Sequence, residues 1–355
     1  MSHLDFTLAL LRAVAPDPAE QVCWSPFSVA SALGLLAEGA RGDTRAELTA
    51  LLGDLDELHG ALAGTTEPGT DEDRMTLSVA NTLWVDPAIR VEEEFASRMS
   101  GGVRAVSFRD DAEGARRTIN ADVAETTRQL IDELLKPGDV RATTVSALVN
   151  ALYLKVAWRN RFAEGGTGPR PFRTPSGPVD VPTMVLTETV GYAAVDGWQV
   201  VRLPGAGQVE ALVLLPDGDL AEAEAALTGE SLAALVEAGG RAMITLLLPR
   251  LVVRSEAKLR SALSGLGVQA VFTDEADLSG ISPDRLAVDE VVHEAVLKVD
   301  EQGFEGAAAT AVMMRAVSLS IGEPLQVAVD RPFLFLVRNR RTGVLYFVAR
   351  VTDPS

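Results

Sequence analysis

The sequence predicts an α+β fold in a single domain. Helix-period patterns come first along the chain, mixed patterns follow, and strand patterns close it, an order that belongs to α+β folds with largely antiparallel sheets. Across 355 residues no long Pro/Ser/Gly tract, charge block or repeat marks a linker, so 1–355 reads as one domain. A hydrophobic content of 47% supplies a large core.

The elements follow in order. Ser25-Pro26 reads as a helix start, a capping side chain followed by proline in the first turn. It launches a helix over 27–40 that is apolar nearly all round and therefore buried. Asp43 reads as the cap of a second helix over 44–52, closed by Gly53, and 75–85 alternates as a strand. An amphipathic helix is predicted over 119–135, ending before Pro137-Gly138. Residues 144–156 form a continuous apolar run, which fits a strand covered on both faces. Antiparallel strands are predicted over 188–216, a helix over 221–238, a strand over 241–253 broken by Pro249, and a capped helix over 255–266. Residues 291–299 have a strand pattern, and 332–352 read as a hairpin turning at Thr342-Gly343.

Bulk properties remove several classes of function. A net charge of −18 argues against a general nucleic-acid surface. Arg338, Arg340 and Arg341 cluster, but they flank the hairpin turn and read as a solvated loop. One cysteine, Cys23, excludes an internal disulfide and a cysteine metal cluster, and its apolar neighbours make it a buried thiol. No signal-peptide pattern and no run of 18 apolar residues occurs, so a soluble, cytoplasmic, monomeric protein without a membrane partner is expected, with secretion open if the chain has been trimmed. Four lysines stand against 28 arginines, and Ala, Leu and Val are abundant, which suggests a GC-rich bacterial source and, with an ion-pair-rich surface, adaptation to heat.

Enzyme motifs are missing. There is no Gly-x-Ser-x-Gly elbow, Walker loop, His-Glu-x-x-His or paired-cysteine motif. Gly265-Leu266-Gly267 follows a helix pattern instead of a strand, so it reads as helix termination and not as a dinucleotide fingerprint. His3, His59 and His293 have no motif partner as catalytic bases. No cofactor or metal is expected.

The most informative stretch is 299–317. Glu301 and Gly303 lead into Phe304, Glu305 and Gly306, and then into Ala307, Ala308, Ala309 and Thr310. Alanine-rich runs favour helix on propensity. The alternation favours a strand: Phe304, Gly306, Ala308, Thr310, Val312, Met314 and Ala316 fall on one uncharged face, and Glu305 and Arg315 on the other. A segment readable both as loop or helix and as half-buried strand is one built to change state.

This stretch resembles the reactive-loop hinge of the serpins, the suicide inhibitors of serine and cysteine proteases. Trp24-Ser25-Pro26-Phe27-Ser28, Asn81-Thr82-Leu83-Trp84, Leu148-Val149-Asn150-Ala151-Leu152-Tyr153-Leu154-Lys155 with Trp158, Leu248-Pro249-Arg250-Leu251, Asp277-Leu278-Ser279-Gly280-Ile281 and Arg331-Pro332-Phe333-Leu334-Phe335 are similar to serpin segments in serpin order. The resemblance runs from about residue 20 to the C-terminus. It implies three mostly antiparallel sheets, eight or nine helices and an exposed reactive loop at about 301–322. It also implies a shutter of Ser25, Ser28, Asn150 and His293 beneath the point where the sheet opens, and a breach of Trp158 and Arg250 with Arg250 paired to Glu301. The stretch 95–103, read against the heparin-binding helix of some serpins, has only Arg98, so no heparin site is expected.

By the same resemblance the loop is bait. A protease becomes acylated on the cleaved loop, which then inserts into the central sheet before water can release the enzyme; about 15 residues at strand rise carry it roughly 50 Å. Counting a usual serpin loop from Glu301 places the scissile bond at Val317–Ser318, with Ala316–Val317 and Arg315–Ala316 as alternatives. Small aliphatic bait suits elastase- or subtilisin-like proteases, Arg315 a trypsin-like one, and Met314 or Leu319 a chymotrypsin-like one. Two residues depart from the inhibitory pattern. Phe304 stands where Thr is usual and is expected to overpack and slow insertion, at a cost of about 1–3 kcal/mol, and Gly306 stands where Ala is usual. The competing reading is a non-inhibitory serpin, a binding or chaperone module or a protease substrate.

Overall fold

The computed structural model describes residues 2–66, 75–98, 102–304 and 323–355. The chain opens with α1 (His3–Val14), whose N-terminus is closed by a capping box between Ser2 and Asp5. Strand β1 (Val22–Trp24) leads into α2 (Pro26–Gly39). Ser25 caps α2 by accepting the Ser28 N–H, and Pro26 occupies the first turn, as predicted. Helix α3 (Gly42–Leu52) ends at Gly53 with φ 83°, but Asp43 lies inside its first turn and the capping position belongs to Arg41. Next come α4 (Leu55–Thr66), β2 (Met75–Val85), the short α5 (Glu93–Ala96), β3 (Val103–Ala105), α6 (Ala112–Thr126) and β4 (Ser146–Ala157).

The second half is mainly strand. It comprises β5 (Gly168–Thr174), β6 (Gly177–Val195), β7 (Trp198–Pro204) and β8 (Val209–Pro216), then α7 (Leu220–Ala226) and α8 (Gly229–Glu237). These are followed by β9 (Gly240–Pro249), β10 (Leu251–Lys258), α9 (Arg260–Gly265), β11 (Val292–Val299), the two-residue β12 (Gly303–Phe304), β13 (Leu325–Ala328), β14 (Phe333–Asn339) and β15 (Leu345–Val351).

Three predicted helices need correction. The helix expected over 119–135 is α6, which begins at Ala112 under the Asp111 cap and ends at Thr126. Beyond it Arg128 and Gln129 take positive φ. The chain then folds back, held where the Asn120 side chain bonds both the N–H and the carbonyl of Leu135. The helix expected over 221–238 is two, because Thr228 makes a capping box with Ser231 and starts α8 afresh. Residues 255–258, expected to open a helix, continue β10 and pair with 292–295 of β11, and α9 starts only at Arg260.

The strands form a nine-stranded ladder in the order β1-β15-β14-β8-β7-β6-β9-β13, with β5 also on β6, and a six-stranded sheet in the order β10-β11-β12-β4-β2-β3. The larger ladder is two sheets joined through β6, whose residues 191–195 pair with β7 while 183–192 pair with β9 and 177–183 with β5. With the six-stranded sheet this makes three sheets, and nine α-helices lie among the described residues. α2 packs against both β15 and β4 at the centre of the main core, and a smaller apolar cluster under α6 includes Trp84, Phe108 and Ile119.

The arginine cluster at the last hairpin is not the solvated turn that its sequence suggested. Arg338 is 3% exposed and bonds Glu210, Glu237 and the Val236 carbonyl; Arg340 and Arg341 remain on the surface. Cys23 is buried, and burial pushes its thiol pKa far upward.

Candidate functional site

The site is the seam of the six-stranded sheet between β4 and β11. Both strands run antiparallel to β12, so they lie parallel to each other, and only Gly303 and Phe304 bridge them among the described residues. Val299 pairs with Phe304, which in turn pairs with Val156; Gly303 pairs with Ala157. Below Phe304 no ladder among the described residues joins β4 to β11. The lower end of the seam opens into a cavity of about 320 Å³ lined by Leu148 and Val149 of β4, Val292 of β11 and Leu33 and Leu36 of α2.

A tight reversal over 300–302 delivers β12 to the seam. The Asp300 side chain accepts the Gln302 and Gly303 N–H groups at 2.8 and 3.2 Å. The Asp300 N–H donates to the Gly303 carbonyl at 3.0 Å. Gly303 is required by contact: a Cβ there would lie 2.0 Å from the Val156 carbonyl oxygen.

At the top of the seam the residues expected for the breach meet. Arg250 Nε lies 2.9 and 3.0 Å from the two Glu301 carboxylate oxygens, and Arg250 Nη2 lies 2.7 Å from Oε1. Thr167 donates a further hydrogen bond to the same oxygen. The Trp158 indole N–H donates to the Asp300 carbonyl at 2.8 Å, and its backbone N–H to the Gln302 carbonyl at 2.9 Å. Burial opposes the charge on Glu301, but the bonds from Arg250 and Thr167 outweigh it and hold the carboxyl pKa below its usual value.

Phe304 is 2% exposed. Its ring meets Trp158 edge-on at 4.7 Å and 89°, and Phe335 of β14 at 6.5 Å and 82°. These spacings are ordinary for edge-to-face pairs, so the ring is seated, not crowded.

In the middle of the seam α2 presents its N-terminal turns to both strands. His293 Nε2, on β11, accepts the Ser25 N–H at 3.1 Å, which places the ring proton on Nδ1. Burial lowers the His293 pKa to about 4. On the β4 side Ser28 donates to Asn150, and Asn150 donates to Asn81. Asn81 in turn donates to Ser31 at 3.0 Å. The four residues expected for the shutter therefore surround one helix end, with His293 and Asn150 on opposite flanks of the seam and linked only through the Ser28 N–H bond to the Ser25 hydroxyl on α2. The sequence reading missed Asn81 and Ser31. Their signal was available: Ser25, Ser28 and Ser31 recur every third residue on one helix face, and Asn81 stands directly across the ladder from Asn150.

Glu305, Gly306, Ala307, Ala308, Ala309 and Thr310 of the expected hinge, and Arg315, Ala316, Val317 and Ser318 of the expected reactive bond, lie outside the described residues. Among the described residues no three His, Cys, Asp or Glu side chains group as a metal site, and no helix is long and apolar enough to cross a membrane. Arg98 is paired with Glu38 and Glu94.

The family described as "Serpin (serine protease inhibitor)" matches residues 1–354. Ipis-1 of Ixodes persulcatus is 32% identical over 99% of this chain and 97% of its own length. The plasma serine protease inhibitor of Bos taurus is 32% identical over 99% of this chain and 90% of its own. Uncleaved ovalbumin superposes with a TM-score of 0.87 at 26% identity, covering 99% of this chain and 98% of that one. Such relatives lend no support to the expected bacterial source or to heat adaptation.

Proposed function

The chain belongs to the serpin family, and on that footing we propose that it is a suicide inhibitor of serine proteases and not an enzyme. The single observation that carries this reading is the seam, where among the described residues only the first two residues of a longer segment stand between β4 and β11. Continued along the β12 register, residues 305–311 would lie between β11 and β4, with Thr310 level with His293 and Asn150. Residue 312 would then reach the level of Leu148, where the seam widens into the cavity.

The chemistry is the protease's own first half-reaction. Its serine oxygen attacks the carbonyl of Val317, the bond to Ser318 breaks, and the new Ser318 amine leaves with the proton. The enzyme remains esterified to residue 317. The freed strand then adds to both flanks of the seam before water attacks the ester. Asn150 and His293 share no direct bond, and their hydrogen bonds meet only at the Ser25–Ser28 cap of α2, so β4 and β11 can part without breaking a bond that spans the seam.

Incubation with elastase, chymotrypsin, trypsin and subtilisin, followed by denaturing gels and mass spectrometry, tests the reading. The expected result is a band at the summed mass together with a released fragment beginning at Ser318. A fragment beginning at Ala316 would move the bait to Arg315 and the target to trypsin-like enzymes. Clean cleavage by every protease with no summed band would replace inhibition with a substrate or binding-module role.

A further inference from the structure

We propose that Phe304 is a pre-seated positioning residue, which starts loop insertion and fixes its register through its contact with Trp158. The inference rests on the inhibitor reading above and reverses the effect that the sequence suggested for this side chain. Phe304 is the one long side chain of β12. It is held by ladders on both sides, to Val299 and to Val156. Its ring joins Phe162 and Trp158 of one segment to Phe335 of the neighbouring sheet. The seat is complete in the uncleaved chain, with Phe304 at 2% exposure and Trp158 at 1%.

Two consequences oppose each other. Holding 303–304 in the sheet leaves less chain to present the bait, which would hinder its capture by a protease. It also spreads β4 from β11 at the top, which would favour insertion. Geometry decides between them. Withdrawing two residues returns at most about 7 Å of chain, whereas Val317 lies thirteen residue steps beyond Phe304, roughly 43 Å when extended. The loss of reach is small. The gain is larger in kind, because an undocked strand must close a loop and force β4 and β11 apart before its first ladder bond forms, while a seated one only extends a ladder.

The ring also sets parity. Side chains alternate along a strand, so a slip of one residue would turn the whole following segment inside out. Gly303 cannot carry a Cβ beneath the Val156 carbonyl, and Phe304 points into the aromatic seat, so that slip is blocked from both positions.

The test compares the wild type with F304T and F304L. The readout is the number of inhibitor molecules consumed per protease trapped, a ratio independent of how fast the loop is cut. That number is one plus the ratio of release to insertion, and we expect F304T to raise its excess over one roughly three- to tenfold, the worth of one edge-to-face contact expressed as a rate. F304L, which keeps apolar burial, should fall between. An unchanged or lower ratio in F304T overturns the proposal. Should F304T fail to fold, the leucine variant carries the same comparison. Hydrogen exchange on the uncleaved wild type must also show protected amides at 303 and 304, and free exchange there overturns it as well. If the wild type traps no protease, the inhibitor reading fails separately. The inference is then judged on loop-nicked protein, by the rate at which heat resistance appears: a slower rise in F304T upholds it, and equal rates overturn it.

Discussion

At the scale of single residues, the ion pair at the top of the seam is asymmetric. Glu301 has 6% of its side chain exposed and Arg250 has 49%. Arg250→Ala leaves a buried carboxylate with its Thr167 bond but without its cation, a loss of about 1–3 kcal/mol. Glu301→Gln leaves a guanidinium that water can solvate, and its cost should stay within about 1 kcal/mol. The apparent melting temperature should therefore fall further in Arg250→Ala, and equal losses would refute the asymmetry. His293 supplies a second prediction. Its folded pKa is about 4 against an ordinary 6.5, so between those values the unfolded chain binds more protons and stability falls as pH drops. Above pH 6.5 the penalty is absent; at pH 5 it is about 2 kcal/mol. His3 is lowered in the same way by burial, so the wild-type curve has two contributors. The difference between wild type and His293→Gln isolates one of them. That gap should be widest at pH 7.5 and should narrow by pH 5; a gap that does not change with pH would remove His293 from the pH response. Both sites were legible through the resemblance of the surrounding motifs, which implied Arg250 opposite Glu301 and His293 among the buried polar groups. Arg338 was misread because sequence shows only that an arginine is near a turn, not that Glu210 and Glu237 converge on it from elsewhere.

At the scale of elements, what could be read depended on whether a signal was local. β2 was read to the residue, since eleven alternating positions leave little choice, and α2 followed from Ser25-Pro26 and an apolar circumference. α6 was misplaced because its end is set by Thr127, whose hydroxyl bonds the Val123 carbonyl and accepts the Ile131 N–H, and by Asn120 holding Leu135. Side-chain bonds that compete with the helix leave no periodic trace. Residues 255–258 were taken for a helix cap because serine before an apolar run is a capping signal. In the fold Ser255 instead accepts the Cys23 N–H from a different strand. β12 is a sharper case. Two residues carry no period at all, and only the glycine that the Val156 carbonyl demands marks the place where the strand enters the sheet.

At the scale of the whole molecule, the inhibitor reading proposed above makes the native state one of two arrangements of the same chain. Along the seam below Phe304, β4 and β11 each present a row of backbone donors and acceptors with no partner strand among the described residues. On that reading the uncut protein is held by a barrier to filling the seam, so its resistance to heat is a rate and should depend on scan speed. Cutting the chain between Thr310 and Ser318 releases one end of the segment whose other end is fixed at Gly303 and Phe304. The segment can then pair with both flanks, with its uncharged face turned to the core in the parity that Phe304 sets. The apparent melting temperature of nicked protein should rise on the order of 10 °C or more above that of intact protein, and the scan-rate dependence should shrink. Scanning calorimetry before and after limited proteolysis reads both quantities. A nicked protein that melts where the intact one does would mean that the seam does not accept the strand, and the trap would lose its source of free energy.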